Sequence, residues 1–160
     1  MFLFIFPNVY YIMRPWSAQT FAYNAVADEV CNTDIIFVLD RSGSVGETNF
    51  DLMKNFVNDL VALFQIDEGN TRVGVVVYSW FVTDFFLLNQ YSTSADIQSR
   101  ISSFTWQSYG TTATDEGLYK VRSEMLLPTA GDRADAPNVV VVITDGYSDN
   151  ATATAVSIGL

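Results

Sequence analysis

The 160-residue chain has no histidine, a single cysteine, and only 8 Lys and Arg against 18 Asp and Glu, for a formal net charge of −10. Without histidine there is no Ser-His-Asp or Cys-His catalytic centre and no imidazole-ligated zinc, copper or iron. One thiol, Cys31, makes neither an internal disulfide nor a thiolate cage. The acidic balance and the lack of any Lys/Arg run remove the electrostatic footprint that phosphate backbones and anionic membrane surfaces require, so nucleic acid is not an expected partner. The one long apolar stretch, at the N-terminus, is too short for a spanning helix, so membrane insertion is not expected either. A metal, if one binds, must be held by oxygens.

Core-forming material is plentiful: 49% of the residues are hydrophobic and 14% aromatic, with 16% charged. The length suits one domain. Residues 1–30 form an apolar leader and read as a signal peptide with a small-residue cleavage region near Ala18 or Ala22, although no cation precedes the apolar run and Arg14 follows it. Residues 31–160 then alternate short apolar runs with amphipathic segments. The run 34–39 is apolar on both faces, as a central parallel strand should be. A helix follows, with Phe50, Met53, Phe56, Val57, Leu60, Val61 and Phe64 on one stripe and Thr48 with Asp51 as its capping box. Segments 73–78 and 139–143 are two more buried strands, and 85–88 is a short edge strand. Helical stripes carry Ile97, Ile101 and Phe104, then Leu118, Val121, Met125 and Leu126, the second ended by Pro128. This order predicts an α/β domain with a doubly wound, mostly parallel sheet and helices on both faces. Residues 155–160 read as a further strand with no helix between it and Asp145.

Three polar clusters punctuate the pattern. Asp40, Arg41, Ser42, Gly43 and Ser44 follow the first strand; Gly110, Thr111, Thr112, Ala113 and Thr114 lie in a long loop; Thr144, Asp145 and Gly146 close the last strong strand. Open parallel sheets bind ligands at the carboxyl ends of their strands, which is where Asp40 and Asp145 fall. Two carboxylates among hydroxyls, with no nitrogen or sulfur donor, make a hard-oxygen environment suited to Mg²⁺ or Mn²⁺ with retained waters. By residue type alone, Thr111, Thr112 and Thr114 are equivalent candidates.

Together these motifs resemble those of the von Willebrand factor type A domains, which include the integrin inserted domains, the matrilins and the A domains of collagens. The resemblance covers residues 34–149 and implies that the domain lacks its final helical elements, truncated at its C-terminus and therefore marginal in stability. The family's metal-ion-dependent adhesion site (MIDAS) combines a D-x-S-x-S motif, a threonine in a glycine-led loop and the aspartate of a T-D-G turn. It implies a metal site of Asp40, Ser42, Ser44, Thr112 and Asp145, with Thr112 selected by its spacing from Leu118. Tyr109 and Gly110 stand where the family usually has two glycines, with Thr111 inserted. The resemblance further implies Mg²⁺, with Mn²⁺ as an alternative. It implies a protein ligand, such as a collagen, another matrix protein or a receptor, that offers a Glu or Asp carboxylate. Direct coordination by neutral hydroxyls, with aspartates acting through water, would leave the ion enough charge to attract that carboxylate. An extracellular or secreted location follows from the family, with Cys31 bridged to a cysteine beyond the domain.

Other readings use the same residues. An intracellular A-domain serving assembly would keep the site and change the compartment. A Mg-dependent hydrolase reading takes Ser44 as the nucleophile of a degenerate elbow, but no histidine activates it and the chain lacks a Gly-x-x-x-x-Gly-Lys loop, so catalysis is not expected. Asn150 reads as a glycosylation sequon or as a helix-opening residue. Asp149 reads as a solvated loop acid or as added charge near the site, and Trp80, Phe81 and Trp106 as packed aromatics or as partner contacts.

Overall fold

A computed structural model describes residues 2–6, 10–12, 32–107, 110–146 and 148–157; Cys31 and the cleavage region lie outside them. Six strands make one mixed sheet in the order β2-β1-β6-β3-β4-β5: β1 (Phe2–Phe6), β2 (Tyr10–Ile12), β3 (Thr33–Asp40), β4 (Thr71–Tyr78), β5 (Val82–Phe86) and β6 (Asn138–Thr144). The helices are α1 (Gly46–Val61), α2 (Ser94–Ser102), α3 (Thr114–Lys120) and α4 (Ala151–Ser157). β3 runs parallel to both β4 and β6, while the outer pairings are antiparallel.

β3 is central because it tolerates no water on either face: every residue from Asp34 through Asp40 is buried. Strand alternation divides its side chains between two layers. Ile35, Phe37 and Leu39 pack with Phe50, Met53, Val57 and Val61 of α1 and with Ile97 and Ile101 of α2. Ile36 and Val38 pack on the opposite face with Leu118 of α3 and with Val121 and Met125 of the π turn that continues it. The doubly wound arrangement with helices on both faces is therefore present, and residues 33–144 hold its parallel centre.

Several local expectations are corrected. The leader contributes β1 and β2, and β1 pairs antiparallel with β6 from Phe2↔Thr144 to Phe6↔Val140; extended chain satisfies an edge strand's open backbone groups. The Thr48 and Asp51 capping box does not form. α1 starts earlier, after Val45, with no side-chain cap. Val45 is buried at 2% exposure and anchors the turn to the core, while Gly46 at φ 71° supplies the left-handed bend. The edge strand is 82–86 rather than 85–88. α4 covers 155–157 of the stretch expected as a strand with no preceding helix, and residues 158–160 lie outside the described ones. Asn150 Oδ1 accepts from Ala153 N at 3.0 Å and opens this helix, one of the two roles read for it. Trp80 and Phe81 are exposed at 64% and 49%, not packed, whereas Trp106 is half-buried against the core. Among the described residues, no helix is long and apolar enough to cross a membrane.

Candidate metal centre

Asp40 ends β3 and is wholly buried. Its Oδ1 accepts from the Ser42 amide at 2.8 Å and its Oδ2 from the Thr144 hydroxyl at 2.7 Å, so one carboxylate joins the loop after β3 to the end of β6. Burial pushes this carboxyl above the ordinary carboxylate value, against the lowering effect of the bonds from Ser42 and Thr144; the nearby Asp145 charge adds to the rise. Opposite Asp40 in the parallel register lies Tyr78, also wholly buried, with its hydroxyl 3.1 Å from Thr114 Oγ1. Burial first, then the Asp40 charge, push its phenol far upward, so Tyr78 stays neutral. α3 approaches this tyrosine closely only because residue 117 is glycine: a Cβ there would stand 3.0 Å from Tyr78 Cδ1 and 3.2 Å from Val38 Cγ1.

Ser42 is buried and Ser44 exposed, and their hydroxyls face each other at 3.1 Å. Asp145 follows β6 directly, and its Oδ1 is buried with no hydrogen-bond partner among the described residues. A buried acceptor in that state is costly unless a cation or ordered water meets it. Thr112 is 6% exposed; its amide donates to Asp149 Oδ2 at 2.5 Å, and the Asp149 amide donates to the Thr112 carbonyl at 3.0 Å. Asp149 is thus no freely solvated acid: it clasps the threonine loop to the loop after β6. Thr114 uses its hydroxyl on Tyr78, and Thr111 is exposed, its carbonyl accepting from Ser79 Oγ at 3.2 Å. Among the described residues, no hydrogen bond joins Thr112 to Asp40, Ser42, Ser44 or Asp145; the link runs through Asp149.

Among the described residues, no three of Cys, Asp and Glu gather as a metal-holding group. An ion at this end would therefore depend on two carboxylates and on hydroxyls, a donor set for a hard cation that keeps waters. The residues fit such an ion: Asp145 offers an oxygen with no donor, Asp40 keeps a lone pair on each oxygen, and the serine hydroxyls rotate freely enough to turn theirs inward. Sequence reasoning missed Tyr78 here, and it named Thr144 and Asp149 without finding the bonds they make. Thr144 had a usable signal, a hydroxyl where a valine and isoleucine run meets Asp145. Asp149 had none, because its partner is distant in the chain.

A parallel-centred α/β sheet with carboxylates and hydroxyls gathered at the carboxyl ends of its strands is a ligand-binding domain of the open-sheet class. The chain belongs to the von Willebrand factor type A domain family, whose family model matches residues 34–158. It is similar to the collagen alpha-6(VI) chain of Homo sapiens, at 34% identity over 151 residues, covering 89% of this chain and 6% of that one. It is similar also to matrilin-1 of Gallus gallus, at 33% over 117 residues, covering 73% and 24%. The solved structure of proximal thread matrix protein 1 from the mussel byssus with a zinc-occupied MIDAS motif aligns at a TM-score of 0.68 and 31% identity, over 74% of this chain and 32% of that one. This chain spans no more than a third of the length of any of the three.

Proposed function

We propose that this chain is a divalent-cation-dependent protein-binding module that works in the extracellular matrix or at the cell surface. The observation that carries the reading is Asp145 Oδ1, a buried oxygen without a hydrogen-bond partner among the described residues, close to the wholly buried Asp40, with which no described cationic side chain pairs. Asp40, Ser42, Ser44, Thr112 and Asp145 would hold the ion, Mg²⁺ in the first instance and Mn²⁺ in substitution. When bound, that ion supplies a Lewis-acidic position for a Glu or Asp carboxylate of a protein ligand. The chain's own residues do the remaining work. Thr144 and the Ser42 amide orient Asp40, Asp149 holds the threonine loop, and neutral hydroxyls avoid cancelling the ion's charge. A net charge of −10 repels acidic partners elsewhere on the surface, which restricts an acidic ligand to the cation.

The matrix setting is supported by the similarity to a collagen, a matrilin and a thread matrix protein. Binding is favoured over catalysis because the Ser44 hydroxyl pairs with the Ser42 hydroxyl and the chain has no histidine to take its proton. Calorimetric titration of Mg²⁺ and Mn²⁺ into the EDTA-stripped chain tests the reading. Saturable binding that disappears in Asp145→Ala is expected; a folded wild type that takes up neither ion rules it out.

A further inference from the structure

Arg41 sits between two candidate ligands, Asp40 and Ser42, yet its side chain reaches neither. It is buried at 3% exposure. Its Nη1 donates to the Thr105 carbonyl at 2.6 Å and lies 3.3 Å from Asp84 Oδ2 on β5. Asp84 Oδ1 is in turn 3.3 Å from Arg100 Nη2 of α2. Thr105 opens the segment that leads to Thr112. The preceding carbonyl, that of Phe104, accepts from Lys54 Nζ of α1 at 2.8 Å. Two cations, one from the loop after β3 and one from the helix that loop enters, thus grip consecutive carbonyls at the root of the threonine loop.

The three loops at this end are tied in pairs. Thr144 and Asp40 tie the loop after β6 to the loop after β3, and Thr112 and Asp149 tie the threonine loop to the loop after β6. The third side of the triangle, between the β3 loop and the threonine loop, is the Arg41 and Lys54 grip. A buried guanidinium is a costly tie unless its charge is matched. Asp84 offsets part of it, since the same carboxylate also pairs with Arg100.

We propose that Arg41, seconded by Lys54, is a positioning residue for the metal centre: it sets the separation of Ser42 and Ser44 from Thr112, and so raises affinity for a divalent ion without touching it. This rests on the metal-binding reading above. Electrostatics alone demands the opposite sign, because deleting a positive charge and leaving Asp84 to Arg100 alone should tighten a dication.

The test is calorimetric titration of MgCl₂ and MnCl₂ into the EDTA-stripped full chain, for wild type, Arg41→Met, Arg41→Lys and Lys54→Met, each paired with a denaturation curve. Arg41→Met is expected to weaken both ions about tenfold, as loss of an outer-shell support does. Arg41→Lys, which keeps a donor for Thr105, recovers part of the loss, and Lys54→Met loses less than Arg41→Met. A folded Arg41→Met that binds as tightly as wild type, or more tightly, overturns the proposal. Should Arg41→Met not fold, Lys54→Met decides by the same sign. A role limited to stability would move the denaturation midpoint and leave metal affinity unchanged, which also overturns it. A wild type that binds neither ion strikes at the metal centre itself and is thereby distinguished from failure of the clamp.

Discussion

Asp34 and Asp40 stand near opposite ends of the same strand, both wholly buried. Arg133 closes the first: its Nε donates to Asp34 Oδ1 at 2.9 Å, its amide to Oδ2 at 2.8 Å, and its Nη2 lies 2.7 Å from Oδ1. The same guanidinium donates to the carbonyls of Gly69, Thr33 and Asn70 at 2.9, 3.0 and 2.9 Å. Asp40 is met by Ser42 and by the Thr144 hydroxyl, all neutral donors, and among the described residues no cationic side chain pairs with it. At equal burial, Arg133 compensates Asp34, whereas among the described residues no cation compensates Asp40, as the proposed metal site requires. A buried anion without a cation is a standing cost, and it is tolerable where an external ion removes it.

The largest expected effect is at the closed end. Arg133→Ala strands the Asp34 carboxylate and should cost about 3–5 kcal/mol of stability in urea denaturation; a loss no greater than that of an average surface substitution would erase the contrast. At the open end, Asp40→Asn should weaken Mg²⁺ binding at least about tenfold. It should also raise the denaturation midpoint of the metal-free chain, because it deletes a charge that burial opposes; a destabilised metal-free variant would show that Asp40 is compensated from within after all. Asp149→Ala should cost about 1 kcal/mol and loosen Mg²⁺ binding, with proteolysis near residue 112 as the structural readout.

The smallest effect is a pH dependence. Because the folded pKa of Asp40 is raised, the native state holds its proton to higher pH than the unfolded chain does. Asp40 therefore lowers metal-free stability as pH rises from the ordinary carboxylate range through the folded value. A bound divalent ion needs the carboxylate charged. The thermal shift produced by Mg²⁺ over EDTA should thus shrink as pH falls from neutrality into that window, and in Asp40→Asn the trend should flatten.

The central strands were legible because burial on both faces leaves no room for polar alternation, so 34–39, 73–78 and 139–143 announce themselves as continuous apolar runs. Asp40 and Asp145 were legible for the same reason, as the first charges after such runs. Elements decided by a single contact were not. α1 starts after the buried Val45 with no side-chain cap in place of the expected capping box, and α4 takes up 155–157 of a stretch that reads as strand although Asn150 reads as a helix opener. Arg41 gave no sign of its role, since nothing local separates a solvated arginine from one that reaches Thr105.

By itself, the sequence determined that this is a parallel-centred α/β domain with carboxylates and hydroxyls collected at the carboxyl ends of its strands, because periodicity and strand ends are local properties. Only the tertiary structure decided which buried carboxylate is compensated. Arg133 meets Asp34 across 99 residues and Thr144 meets Asp40 across 104, and whether a charge finds a cation or a neutral donor at that distance depends on how the sheet closes.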